Sequence, residues 1–482
     1  MHQDISSKYQ AVIGLEVHIQ LLTKSKLFAR DANQYGDAPN TNISVITLGH
    51  PGTLPKINKK ALELAIRMGL ACGSEISQYL IFDRKNYFYP DLPKGFQLTQ
   101  DRTPICKGGL VKITTKSGTR NIKLNRIHLE EDAGKSFHPP DSADSLVDFN
   151  RAGTPLIELV TEPVIHQPEE AYQLLTEIRK LVTYLGICDG NMEEGSLRCD
   201  CNVSVRLNGD TDLGSKVEIK NMNSVRNVRR AIKKEVVRQI EKLDRGELII
   251  SETRSFDEKT AGSVSMRTKE EINDYRYFPE PDLSPVQISD HWLQRIKESM
   301  PTLPNELKQQ IEDRYAFNSE DALFITDSME VLNYFNQAVN TSNHPNNILN
   351  WLKGPIQSLL KEKSLSISEL NLSPEQLGEL AELTANELSF SVAAQKVLPI
   401  LIDKSNITPR DVAEHLGLLQ DQHQENLEPL VMDILREFPE KVAAYRNGKK
   451  GLLGFFMGEL MKKTESKVDP RMANELLAKH LT

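Results

Sequence analysis

The sequence predicts a mixed α/β body of about 295 residues followed by two all-helical parts. Three observations carry that reading. Up to about residue 280, short β-branched runs alternate with two or three helices and hold most of the glycine. Beyond it, nearly every stretch reads as helix punctuated by Pro, Asn and Ser, as in MPTLPNEL, SNHPNN and NLSPEQ. Between the two regimes, Arg276 to Pro285 (RYFPEPDLSP) carries three prolines and suits a stiff boundary. A second break near Ser405-Asn406-Ile407-Thr408-Pro409 divides the helical remainder, giving segments 1–295, 296–408 and 409–482.

The elements of the body follow in order. Ala11 to Leu21 alternates strictly, with Ile13, Leu15, Val17, Ile19 and Leu21 in one phase and Glu16, His18 and Gln20 in the other. That is a period-two strand with Glu16 and His18 about 7 Å apart on its polar face. Asn125 to Glu131 ends another strand in Glu130-Glu131-Asp132, but its apolar phase slips between Leu124 and Ile127, so the spacing leaves open which carboxylate points inward. Leu156 to Val160 reads as a buried central strand with Glu158 inside it. Pro168 opens a helix with Leu174, Leu175, Ile178, Leu181 and Val182 on one face, closed by Gly186. Leu197 to Leu207 alternates again, turning Cys199 and Cys201 inward and Arg198, Asp200 and Asn202 outward. Ser224 caps a helix running to Gly246.

With 482 residues there is room for roughly three domains. The balance of 59 basic and 67 acidic residues, 59 − 67 = −8, excludes a wholesale basic protein, so any nucleic-acid contact must come from local patches. No apolar run approaches the roughly 18 residues of a membrane span, and MHQDISSKYQ has no secretory core. Five cysteines, two of them one residue apart, argue for a reduced, cytoplasmic protein.

The chemistry-bearing residues each have a plain alternative. No P-loop, dinucleotide fingerprint or amidase-type nucleophile is present. Cys199 and Cys201 lie on the apolar phase of their strand without a second ligand pair, which favours core over metal. Glu16 and His18 suit either a solvated strand face or a site. Glu158, flanked by aliphatics, needs a buried Arg partner or a metal. One imidazole with two or three carboxylates from different strands would suit Mg²⁺ or Mn²⁺ holding nucleotide phosphates. Lys216 to Arg238 carries eight basic and two acidic residues, including Arg229 and Arg230. A second basic cluster holds Lys441, Lys449, Lys450, Lys462 and Lys463, interleaved with Tyr445, Phe455 and Phe456. Both suit a solvated face or RNA phosphate contact. In Phe82 to Asp91 (FDRKNYFYPD), Tyr87, Phe88 and Tyr89 stand in a row close behind Arg84 and Lys85, and one of them is expected to face a ligand.

At the motifs VIGLEVHIQL, FDRKNYFYPDLPKGFQ, HLEEDAGKS, DFNRAGTPLIELVTEP, EEGSLRCDCNVS, DYRYFPEPDL and NGKKGLLGFFMGELMKKT the chain resembles the B subunits of heterotrimeric tRNA-dependent amidotransferases. The resemblance implies an α+β fold: an antiparallel-rich cradle domain, a helical domain and a small helical YqeY-like tail. It implies ATP-dependent phosphorylation of the side-chain carboxylate of Glu-tRNA(Gln) or Asp-tRNA(Asn), then amidation by ammonia. The ammonia would come from an amidase-type glutaminase (the A subunit of such heterotrimers), with their small C subunit as clamp. By motif, His18, Glu131 and Glu158 would hold Mg²⁺, with Glu16 close by. Glu16, Lys85 and Asp200 are placed in catalytic roles, and Arg229, Arg230, Lys449 and Lys450 against tRNA.

The chain departs from many such relatives at one point. Where those carry four zinc-binding cysteines, Ala29, Asp31, Ser44 and Thr47 stand here. No zinc is expected, and packing around Phe28, Tyr35 and Pro39 would hold the loop instead. Two other classes stay open: a non-catalytic tRNA scaffold, favoured by an Arg paired to Glu158, and a stand-alone metal-dependent phosphotransferase.

Overall fold

A computed structural model describes residues 8–139, 143–260, 262–268, 275–404, 406–419, 424–464 and 470–481. Asp274, at the head of DYRYFPEPDL, and Ser405, at the second sequence break, lie outside them. The chain forms two compact units, Met1–Pro304 and Asn305–Thr482. It is α+β, with sheets confined to the first unit among the described residues.

The strands that position the site are β1 (Tyr9–Gln20), β2 (Asp83–Asn86), β3 (Phe96–Thr99), β4 (Gly118–Glu131), β5 (Pro155–Thr161), β6 (Leu197–Leu207) and β7 (Val217–Lys220). A ten-stranded sheet has the central run β7-β6-β1-β5-β4, every neighbouring pair antiparallel. Glu252–Asp257 extends it as a parallel neighbour of β7. β2 and β3 form a separate three-stranded sheet with Phe278–Pro279.

Alternation divides the large sheet into two faces. Ile13, Leu15, Val17, Ile19, Ile127, Leu129, Ile157, Leu159, Cys199, Cys201 and Val203 are all buried in one apolar core. Three helices contribute apolar stripes to it: α1 (Lys59–Ala71), α2 (Pro168–Tyr184) and α3 (Val225–Asp244). Full burial of each such aliphatic is worth roughly 1.5–3 kcal/mol, which pins the register of every strand. Helix ends follow the local chemistry. Ser224 accepts from Asn227 N–H at 3.2 Å to open α3. Gly186, at φ +61, follows the end of α2 in a conformation that favours glycine.

The phase slip in β4 is a β-bulge. Val160 pairs with Arg126 and Thr161 with Leu124, so Asn125 is skipped in that ladder. Past the bulge, Ile127 and Leu129 face the core, and His128 and Glu130 turn to the opposite, polar face.

The second unit is helical throughout its described residues. Trp351 is fully buried there, its ring 4.4 Å from Phe390. Leu427, Val431, Ile434, Phe456, Leu460, Leu476 and Leu477 form a separate apolar cluster near the chain end.

Candidate active site

The polar face of the sheet carries a row of titratable side chains in register. His18 is opposite Glu158 across β1 and β5, and Glu158 is opposite His128 across β5 and β4. Glu130 stands two residues along β4 from His128, on the same face. These four close a ring. His18 Nε2 lies 3.5 Å from Glu130 Oε1 and 3.5 Å from Glu158 Oε2. His128 Nε2 lies 3.2 Å from Glu158 Oε2 and 3.6 Å from Glu130 Oε2. Ligand atoms of His18, Glu130 and Glu158 all fall within 4.8 Å of one another, a spacing into which a small divalent cation fits.

The ring alternates charge. Burial alone would raise the Glu158 carboxyl, yet hydrogen bonds from His128 and His18 hold it well below the usual carboxylate range. Burial works to lower His128, but the hydrogen bonds and charges of Glu130 and Glu158 push it up to about 9. His18 is raised by the same two carboxylates against the same opposing burial. Such a ring offers imidazole nitrogens and carboxylate oxygens to a metal that would displace its protons.

The carboxylate facing His18 and Glu158 is therefore Glu130, and Glu131 does not join them. Period two puts Glu131 in the phase of Ile127 and Leu129. There it forms an ion pair with Lys94 and accepts from Leu98 N–H at 3.0 Å. Glu131 lines a cavity of about 240 Å³ with Lys26, Lys94, Phe28, Phe96 and Arg84. Lys26 is 1% exposed, and its burial pulls the amine down to about 8.

Of the residues given catalytic roles, Lys85 on β2 sits with its Nζ 4.8 Å from the Tyr275 ring. Burial opposes its charge, but Glu130, Tyr277, Tyr275 and Glu158 together outweigh that and raise its pKa. Glu16 and Asp200, opposite one another across β1 and β6, form a second carboxylate group with Glu218. Glu16 accepts from Asn202 at 2.8 Å, and Lys220 Nζ bridges Asp200 at 2.8 Å and Glu218 at 3.0 Å. In the aromatic loop Phe82 is core, while Phe88 and Tyr89 are exposed.

The basic residues separate. Arg229 is paired to Glu169 at 2.9 Å and stacked 4.8 Å over Tyr172, so it offers less to a partner than Arg230, Arg226, Lys233 and Lys234, all exposed on α3. Lys449 and Lys450 are exposed, the latter 4.3 Å over Tyr445. Tyr445 and Phe456 are core residues of the tail rather than stacking platforms.

The loop at Ala29 to Thr47 is held differently from the packing expected. Asp31 accepts from Ser44 Oγ at 3.0 Å and from Thr47 Oγ1. Only Phe28 is buried, 5.3 Å edge-on to Phe82, whereas Tyr35 and Pro39 are exposed. Short polar side chains bridging by hydrogen bonds need no apolar cluster around them.

With this geometry in place, the comparisons fall on one family. A family model described as the GatB/GatE catalytic domain matches residues 11–294, and one described as the GatB domain matches 333–481. The chain is 44% identical over 474 residues to the B subunit of the aspartyl/glutamyl-tRNA(Asn/Gln) amidotransferase of Thermodesulfovibrio yellowstonii, covering 98% of this chain and 99% of that one. It is 43% identical to the corresponding B subunit of Trichodesmium erythraeum, over 99% of this chain and 98% of that one. The chain belongs to the family of amidotransferase B subunits.

Within that family's catalytic domain, residue-by-residue reading had given no role to His128, Arg198, Glu218 and Lys220, and had left Glu130 open against Glu131. The signal for His128 and Glu130 was parity: the two share a phase opposite to Ile127 and Leu129. No comparable signal marked Glu218 or Lys220, which reach the row only through pairing of β7 with β6.

Proposed function

We propose that this chain is where misacylated Glu-tRNA(Gln) or Asp-tRNA(Asn) is amidated, its side-chain carboxylate first phosphorylated by ATP and then attacked by ammonia. The observation that carries this is the ring of His18, Glu158, His128 and Glu130 on the polar sheet face, with the Lys85 cation in its field. A carboxylate is a poor electrophile, and converting it to an acyl phosphate supplies a leaving group.

The ring residues would hold a divalent cation, Mg²⁺ in this reading, which when bound neutralises charge on the transferring phosphoryl group. Lys85, whose pKa is raised by the surrounding Glu130, Tyr277, Tyr275 and Glu158 against its burial, would neutralise an anionic oxygen. Glu16 and Asp200, anchored by Asn202 and Lys220, orient the neighbouring polar surface and offer an acceptor for the protons of ammonia. Arg230, Lys449 and Lys450 contact tRNA phosphates. Ammonia comes from an amidase-type glutaminase, and a small third protein completes the heterotrimer. No helix among the described residues is long and apolar enough to cross a membrane. A tRNA substrate fits a cytoplasmic reaction.

An arginine paired to Glu158 would have supported the scaffold reading. Among the described residues the ion-pair partners of Glu158 are instead His18 and His128, side chains that can also serve as metal ligands. Co-expression with the cell's amidase-type glutaminase, followed by assay on both misacylated tRNAs, tests the proposal. ATP-dependent formation of Gln-tRNA or Asn-tRNA is expected, and none with either substrate would overturn it.

A further inference from the structure

We propose that Arg198 is a catalytic residue whose unengaged guanidinium N–H donors serve an anionic oxygen of the reacting groups. The proposal rests on the transamidation reading and adds a residue to it.

Arg198 is opposite His18 across β6 and β1, so its side chain leaves the sheet on the face that carries the ring. One nitrogen, Nη2, donates to Asp132 at 2.8 Å. Asp132 is buried and fixed from two further sides, by Gln20 Nε2 at 2.8 Å and by Arg151 Nε at 3.7 Å. That anchor holds the guanidinium in place. Nε and Nη1 make no hydrogen bond among the described residues, and Nε is buried. The side chain is nevertheless 35% exposed, so a ligand can reach it. A buried N–H donor without an acceptor is uncommon in folded proteins, because nothing replaces the water it lost. Arginine presents several donors in a plane matched to phosphate and carboxylate, and only Nη2 of this one is engaged.

Two anionic oxygens of the reaction share that chemistry: one on the transferring phosphoryl group and one on the substrate carboxylate. In the first step a carboxylate oxygen bonds to phosphorus, the bridging P–O bond breaks and the nucleoside diphosphate leaves with the electron pair. In the second, nitrogen bonds to the carbonyl carbon, the C–O bond breaks, phosphate leaves with the pair and an ammonium proton passes to a base. Arg198 stays protonated through both and neutralises charge on the oxygen it touches.

The test uses the full chain assembled with its partner proteins and compares Arg198→Ala and Arg198→Lys with the parent. Loss of about a hundredfold in kcat is expected for both, with methylguanidinium restoring about tenfold in Arg198→Ala but not in Arg198→Lys. A raised KM for ATP would assign the oxygen to the phosphoryl group, and a raised KM for misacylated tRNA to the carboxylate. Mn²⁺ affinity and Tm should stay near those of the parent. Activity within threefold of the parent, or a loss that follows Tm and is not rescued, would overturn the proposal and leave Arg198 as a prop for Asp132. A parent complex that forms no amidated tRNA would overturn the underlying reading and this proposal with it.

Discussion

Glu130 and Glu131, neighbours on one strand, belong to different sites: Glu130 lies 3.5 Å from His18, and Glu131 is paired to Lys94. The bulge at Asn125 sets that division, since it fixes which of the two shares a phase with Leu129. The motif resemblance had pointed to Glu131 as the ligand. The ring geometry points to Glu130.

The two glutamates should therefore separate on metal titration. Glu130→Gln is expected to weaken Mn²⁺ binding by roughly ten- to a hundredfold, the range seen when a metal's surroundings are altered. Glu131→Gln should leave it within about twofold. Calorimetric titration of the full chain decides, and the reverse ranking would restore Glu131 to the metal.

Glu158 is the residue most exposed to loss of charge. Glu158→Gln keeps size and hydrogen bonding but leaves His18 and His128 without their shared carboxylate. We expect kcat to fall on the order of a hundredfold or more, about 2.7 kcal/mol and upward, with tRNA Kd unchanged. Near-parental amidation by a folded, assembled variant would make Glu158 a structural carboxylate.

Protons and metal compete for the ring. His128 is raised to about 9, above the roughly 6.5 of a free histidine, so its contribution to stability is complete below about pH 6.5 and lost as pH rises through about 9. The Tm of metal-free protein should fall over that window, and added Mg²⁺ or Mn²⁺ should restore it most strongly at the alkaline end. His128→Gln should flatten the profile. A metal-free Tm that holds level from pH 6.5 to 9 would contradict the ring's charge pattern.

The two basic surfaces should act on tRNA alone. Lys449→Glu with Lys450→Glu, and separately Lys233→Glu with Lys234→Glu, are expected to raise tRNA Kd and lower its salt dependence by about one unit of log–log slope per lost phosphate contact. Glutamine hydrolysis without tRNA should not change. An unchanged Kd for either pair marks that surface as merely solvated.

Zinc should be absent from chelator-washed protein, because Ala29, Asp31, Ser44 and Thr47 present one carboxylate and no thiolate or imidazole. Asp31→Ala removes the acceptor of both hydroxyls and should cost about 1–3 kcal/mol of stability in denaturant unfolding. Stoichiometric zinc by metal analysis, or an Asp31→Ala variant as stable as the parent, would show that the loop is held another way.

Period-two alternation was enough to place His18 and Glu16 on one face and to bury Cys199 and Cys201, and helix-end chemistry marked the Ser224 cap and the Gly186 stop, because those features depend on local steric and hydrophobic rules. Long motifs carried the family. What the tertiary structure decided was adjacency between strands distant in sequence. Glu158 meets His18 and His128 only through the order β1-β5-β4, and Arg198 reaches Asp132 only because β6 lies on the other side of β1. Strand order and register are set by the burial of a whole apolar face against three helices, a collective free energy that no single segment expresses. The same holds for Glu131. A carboxylate at a strand end can face either way, and the Asn125 bulge and the Lys94 cation, neither of which alternation reports, turn it toward the cavity.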